Sequence, residues 1–388
     1  MSTVPVSILD LASIGAGESL RESLEGCVQV AQAAERLGYT RVWYAEHHNS
    51  ETIASSAPAV LIAHVAANTS TIRLGSGGVM LPNHSPLVIA EQFGMLATLH
   101  PGRIDLGLGR APGTDQTTVK ALRRDPRAAE TFAQDVQELQ GFLGDTSKVA
   151  DVIATPGRGT HIPLYILGSS LYGAQLAAVL GLPYAFASHF APASLLDAIR
   201  IYRERFTPSL QLDKPYVIAS MSVIAADTEE SAAAQFERRK RSFARRIFGR
   251  PGHPLTDEQV DAALLSPQAS YLDEVFKYSA IGTASTIKAR LDEFQAIGEA
   301  YITVAMMNPP RFRITFGQMP LDWSNPELLH EAQRAFGILE RQVRIIRGDS
   351  GAGDPALDTQ AASVAAWSIV HGFSTLLLDG RLNRFSAD

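Results

Sequence analysis

The chain has 388 residues, 46% of them hydrophobic, and a formal net charge of −6, with 34 Lys and Arg scattered among 40 Asp and Glu. That length accommodates one α/β barrel of about 250 residues with insertions, and the dispersed, acidic charge argues against nucleic acid or an anionic membrane surface as the main partner. The single cysteine, Cys27, excludes an intramolecular disulfide and a thiolate zinc cluster. No apolar run approaches a membrane span and no basic segment leads into one, so no membrane association is expected and the cytoplasm is the expected location.

Short β-rich runs alternate with helical patterns along the chain. Residues 4–9 suggest a first strand, and 20–37 a helix that Gly38 stops. Cys27 falls within that amphipathic pattern, as a buried structural thiol. The next units pair strand 41–45 with helix 57–68, strand 72–76 with helix 86–100, and strand 103–108 with helix 127–143. Strand 164–167 precedes helix 171–180, and 184–187 precedes 192–206. Residues 216–225 form a longer strand followed by a helical region. Such βα repetition means a parallel sheet with helices outside it. No G-x-G-x-x-G follows the first strand, since Gly15 and Gly17 lack the third position. A closed (β/α)8 TIM barrel is therefore favoured over an open dinucleotide fold.

Two segments have the composition of insertions: the polar 144–160, and 249–278, whose prolines suggest a mobile lid. The basic run Arg238-Arg239-Lys240-Arg241 with Arg245, Arg246 and Arg250 carries no interleaved aromatics and is expected to be a solvated helix face.

In a parallel barrel, chemistry gathers where strands end. Asp10 follows the first strand, and Glu46-His47-His48-Asn49 the second. Gly77-Gly78 and the stretch to His84 follow the third, Gly109-Arg110 the fourth, Gly168-Ser169-Ser170 the fifth, and Ser188-His189-Phe190 the sixth. Ser169 and Ser170 open a helix whose free N–H groups suit a phosphate, with Arg110 as a bidentate cation; a plain serine N-cap is the alternative. Gly77-Gly78 leaves a bare backbone against which a planar ring could lie, although an ordinary turn would also use it. Adjacent His47 and His48 point to opposite sides of a strand end, so they are poor co-ligands and no metal is expected. One of them suits acid/base work near neutral pH.

The segments RVWYAEHHN, STIRLGSGGVMLPNHSPLVIAEQFGML, HPGRIDLGLGRAPGTD and PLYILGSSLYGAQLAAVLGLPYAFASHF together resemble the bacterial luciferase-like flavin monooxygenase family over about residues 3–295. The resemblance implies a barrel that binds reduced FMN supplied by a separate reductase, often as a homodimer; some relatives use a deazaflavin and transfer hydride. By position it makes His47 the catalytic histidine and Gly77-Gly78 the bulge under the flavin ring, often a non-prolyl cis peptide. Arg110, Ser169, Ser170 and Gly173 become the phosphate cradle. Gly109 stands where luciferases carry a reactive cysteine beside the flavin, which speaks against light emission but not against oxygenation.

The text AIGEAYITVAMMNPPRFRITFG, NPELLHEAQRAFGILERQV and AAWSIVHGFSTLLLDGRL resembles the ligand-binding tail of tetracycline-repressor-type regulators over about 296–388. Residues 300–306 are an eighth barrel strand by the first resemblance and helical by the second. No helix-turn-helix domain accompanies the tail, so DNA binding does not follow. The expected organisation is a flavin-binding barrel over 1–307 and a C-terminal helical extension over 308–388. The expected activity is oxygenation of an organic small molecule (epoxidation, hydroxylation or Baeyer-Villiger oxidation) by reduced FMN and dioxygen. The alternatives are deazaflavin-dependent hydride transfer and a non-catalytic small-molecule-binding or regulatory protein.

Overall fold

The computed structural model describes residues 5–15, 17–111, 113–189, 191–249, 255–267 and 269–292. The chain divides into two compact units, residues 1–220 and 221–388.

In the first unit, β1 (Ser7–Asp10), β2 (Arg41–Tyr44), β3 (Arg73–Met80), β4 (Ile104–Gly109), β5 (Leu164–Gly168), β6 (Tyr184–Phe186) and β7 (Val217–Ala219) form one all-parallel sheet in strict chain order. An open doubly wound sheet reverses strand order partway across. This one does not, so the winding is that of an α/β barrel. Helices α1 (Leu20–Arg36), α2 (Pro58–Ala67), α3 (Pro86–Leu99), α4 (Gln116–Ala121), α5 (Phe132–Leu143), α6 (Leu171–Leu180) and α7 (Leu195–Arg205) fill the crossovers. Every residue of β2 and of β4 is buried, as expected for strands covered on both faces. Ser19 starts α1 with a capping box to Glu22, and Gly181 ends α6 in the left-handed region at φ 63°. Cys27 is buried as expected; burial and nearby Asp10 push its thiol up to about 12.

Several sequence expectations need correcting. Strand β3 does not stop at Ser76 but runs through Gly77-Gly78 to Met80. The ladder to β4 shifts register between Ser76 and Val79. Across that shift the Ser76 hydroxyl donates to Gly107 O (2.8 Å) and accepts from Gly107 N–H (3.0 Å), standing in for ladder bonds. Helix α4 was not expected; Asp115 caps it by accepting from the Thr117 and Thr118 N–H groups. The long strand expected over 216–225 is two strands, interrupted at Ser220 and Met221. The polar segment 144–160 packs against α3: a Cβ on Gly94 would collide with the Gly157 backbone.

The second unit pairs β8 (Ser222–Ala225) in parallel with β9 (Ser279–Gly282). Between them lie α8 (Glu229–Phe248), α9 (Asp257–Leu264) and α10 (Ala269–Val275). The described part of the expected lid is therefore largely helical. Val260, Leu272 and Phe276 are buried with Ala244, and Phe236 and Phe243 meet Phe276 edge-on. The basic face of α8 is partly neutralised rather than simply solvated: Arg241 pairs with Asp257 and Asp261, Arg245 with Asp257, and Lys240 with Asp273. Residues 300–306 and the C-terminal extension lie outside the described residues. Among the described residues, no helix is long and apolar enough to cross a membrane.

One carboxylate ties α1 to the start of β3. Glu35 accepts from the N–H groups of Ser70, Thr71 and Ile72 and from the Thr71 hydroxyl. Hydrogen bonding, led by Thr71 N–H, moves its carboxyl from the ordinary 4.5 down to about 2. A depressed carboxyl adds stability above its unfolded value and loses it as pH falls towards the folded value. Glu35→Gln should therefore lower Tm at pH 7, and the gap from the parent protein should narrow between about pH 4.5 and 2; a gap of constant size would contradict this.

Candidate active site

Parallel strands all end on one edge, so β2, β3, β4 and β5 deliver their following residues to the same face of the first unit. His47 follows β2; its N–H donates to Ser55 O (2.9 Å), and the residue is half-buried. Gly109 is the last residue of β4, and Arg110 follows it. Ser169 and Ser170 link β5 to α6, and Gly173 lies in the first turn of α6. Gly77 and Gly78 sit within β3 rather than after it, and the peptide between them is cis. Neither has room for a side chain. A Cβ on Gly77 would lie 2.5 Å from Leu9 Cδ1, and one on Gly78 would lie 2.8 Å from Gly107 O.

At the start of α6, Ser170 occupies the N-cap position but makes no side-chain capping bond. Its carbonyl is held by the Tyr184 hydroxyl, which donates across 3.1 Å. The first-turn N–H groups therefore have no serine hydroxyl as a cap, and they carry the positive end of the helix dipole. The exposed Arg110 guanidinium lies over the ring of Tyr172, the second residue of α6, at 4.1 Å. That contact brings a cation to the same helix end. Gly173 lets the helix approach the Tyr184 ring, which a Cβ would meet at 3.3 Å. At Gly109 the space a side chain would need is taken by Met80, whose sulfur would be 2.9 Å from a Cβ.

A buried, multiply bonded side chain at this edge is one that sequence reasoning did not single out. Glu46 is fully buried, and its Oε1 accepts from His48 Nε2 (2.9 Å) and His84 Nε2 (2.8 Å). Its Oε2 accepts from the Met80 N–H (3.1 Å). Burial alone would raise this carboxyl; the bonds from His84, His48 and Met80 outweigh it, and the net direction is downward. Both Glu46 and His84 stood in the strand-end segments, but nothing local pairs residues 38 apart in sequence. Of the two adjacent histidines, His48 is committed to Glu46. A second polar cluster joins β6 and β7. Ser188 Oγ donates to Ser220 O (2.6 Å), and His189 Nδ1 lies 2.7 Å from Ser220 Oγ. Among the described residues, no group of three His, Cys, Asp or Glu is arranged to hold a metal.

A parallel, singly wound sheet with bare glycines in one strand and a cation-flanked helix start at its carboxyl edge defines an α/β-barrel protein whose candidate site is at the strand ends. The chain belongs to the luciferase-like monooxygenase family, whose sequence profile matches residues 4–300. The profile of the tetracyclin repressor-like C-terminal domain matches residues 294–388. A luciferase-like monooxygenase of Escherichia coli (strain K12) is 48% identical over 288 residues, covering 74% of this chain and 86% of that protein. The N-acetyl-S-alkylcysteine monooxygenase of Bacillus subtilis (strain 168) is 39% identical over 236 residues, covering 59% and 70%. The crystal structure of apo-MsnO8 superposes with a TM-score of 0.65 at 33% identity, covering 75% of this chain and 87% of that one.

Proposed function

We propose that this protein is an FMN-dependent monooxygenase that uses reduced flavin from a separate reductase and dioxygen to oxygenate an organic small molecule. The observation that carries the reading is the start of α6. First-turn N–H groups without a serine cap, with Arg110 stacked on Tyr172 beside them, suit a dianionic phosphate. Gly77 and Gly78 have no room for side chains and leave a bare backbone for the ring. These residues fit a flavin mononucleotide. When bound, the flavin supplies the redox chemistry that activates dioxygen.

The chain's own residues do the rest. Arg110, Ser169, Ser170 and the N-terminal turn of α6 hold the phosphate, while Gly77 and Gly78 present a bare backbone to the ring and Gly109 lies beside it, its side-chain position taken by Met80. His47 moves a proton at the reacting edge, where an imidazole with a near-neutral pKa is suited to the task. The test is titration with oxidised FMN, reduced FMN and deazaflavin, followed by absorbance and fluorescence. Arg110→Ala should weaken FMN about 10- to 100-fold, the loss of a charge-assisted contact. Preference for deazaflavin would move the assignment to hydride transfer, and binding of neither would leave a non-catalytic binding protein. The name of the Bacillus relative makes an S-alkylated N-acetylcysteine the first substrate to assay.

The reading includes a homodimer. Helices α2 and α3 are adjacent and apolar on their outward faces as well as their inward ones: Val60, Val88, Met95 and Leu99 are all exposed. Helices apolar all round are normally covered on both sides. A Met95→Glu, Leu99→Glu double variant should sediment as a monomer where the parent protein sediments as a dimer. A parent protein that is itself monomeric would remove this part of the proposal.

A further inference from the structure

Three loops meet around Glu46. The loop after β2 carries His47 and His48. Strand β3 ends at Met80, and the loop after it carries His84. The loop after β4 passes close by: a Cβ on Gly113, which sits at φ +61°, would lie 2.9 Å from Glu46 O and 3.0 Å from Met80 Cγ. Other braces run around the same triangle. Thr114 Oγ1 donates to His48 O (3.4 Å), and Asn49 Nδ2 donates to Asp115 Oδ2 (2.9 Å). Arg124 donates to Pro82 O (3.0 Å) and His84 O (2.7 Å). All of these braces lie at least partly at the surface. The Glu46 carboxylate is fully buried, and its side-chain bonds join the loops after β2 and β3 directly.

We propose that Glu46 is the positioning residue of this site: by accepting from His48, His84 and the Met80 N–H, it fixes the segment bearing His47 relative to the β3 segment bearing Gly77 and Gly78. The assignment rests on the roles proposed above for His47 and for the two glycines. An ionised carboxylate accepts from all three groups at once, with both imidazoles presenting Nε2–H, whereas an amide offers one acceptor oxygen. Glutamine removes the charge and keeps all three links only if both imidazoles change to the tautomer whose Nε2 accepts from its NH2, so the joint weakens. The neighbouring imidazole would then sample positions off the ring seat, and misplacement of about 1 Å can cost on the order of 100-fold in rate.

The first measurement needs no flavin. Amide hydrogen exchange of the full chain should accelerate in Glu46→Gln both at residues 46–50 and at 79–84, while β4 keeps its protection. His84→Ala should loosen residues 46–50 as well, although His84 belongs to the other loop. The second measurement adds FMN. Glu46→Gln should bind it within about threefold of the parent protein, alter the visible circular dichroism of the bound flavin, and slow its reoxidation by dioxygen about 10- to 100-fold. Glu46→Asp, which keeps the two oxygens, should recover part of both signals. Exchange confined to one loop would overturn the proposal, and so would unchanged flavin dichroism and reoxidation in a loosened variant. The exchange result stands apart from His47: if His47→Ala left flavin oxidation untouched, the proton-transfer reading would fail while the link between the loops remained measurable.

Discussion

Asp105→Ala should destabilise the first unit by about 3–5 kcal/mol, the cost of leaving a buried cation without its partner. Asp105 is fully buried near the start of β4. It accepts from Arg41 (3.0 Å), from Trp43 Nε1 (3.1 Å) and from Arg73 through both Nε (3.1 Å) and a short Nη2 contact. Arg41 is nearly as buried; it also donates to the Tyr165 hydroxyl (2.7 Å) and lies over the Trp43 and Tyr165 rings. Burial, the largest single effect, would lower the Arg41 pKa; Asp105, together with Tyr165 and Tyr216, outweighs it, and the net direction is upward. Without Asp105 the guanidinium keeps its burial and loses its counter-charge. Arg73→Ala should cost distinctly less, because that side chain is 29% exposed and water screens its charge. Chemical denaturation of the two variants gives the comparison, and equal losses would contradict the argument. The network involves the first residues of β2 and β3, the second residues of β4 and β5, and Trp43, the third residue of β2, which also lies against Gly77.

His47→Ala should leave FMN affinity within a few-fold of the parent protein and lower turnover by about 100- to 10,000-fold, the usual range for loss of a positioned acid or base. The cradle proposed for the phosphate lies on β4, β5 and α6, whereas His47 lies on the loop after β2, so binding and turnover separate. The comparison is made at saturating reduced FMN by following flavin reoxidation and oxygenated product. Oxidation at the parental rate would remove His47 from the reaction.

The sequence by itself determined the alternation of strands and helices, the buried Cys27, and the family, because these depend on local periodicity and on motifs that are continuous in the chain. It also brought His47, Arg110, Ser169 and Ser170 to one edge, since parallel strands leave no other place for the residues that follow them. It misjudged elements whose residues lack a local signal. Gly77 and Gly78 have no side chains to announce a strand, so the continuation of β3 to Met80 became visible only from its pairing with β4. The run 216–225 has no internal Gly, Pro, Asn or Asp, yet it is interrupted at Ser220, which bonds Ser188 and Phe186. The prolines of 249–278 suggested a loop, while packing of Val260, Leu272 and Phe276 makes much of it helical. The two carboxylates that organise the first unit were beyond any local pattern. Glu46 finds partners 34 and 38 residues away, and Asp105 finds partners 32 to 64 residues away. Only the folded sheet sets such distances, because charge and hydrogen-bonding capacity are written in the sequence but their neighbours are not.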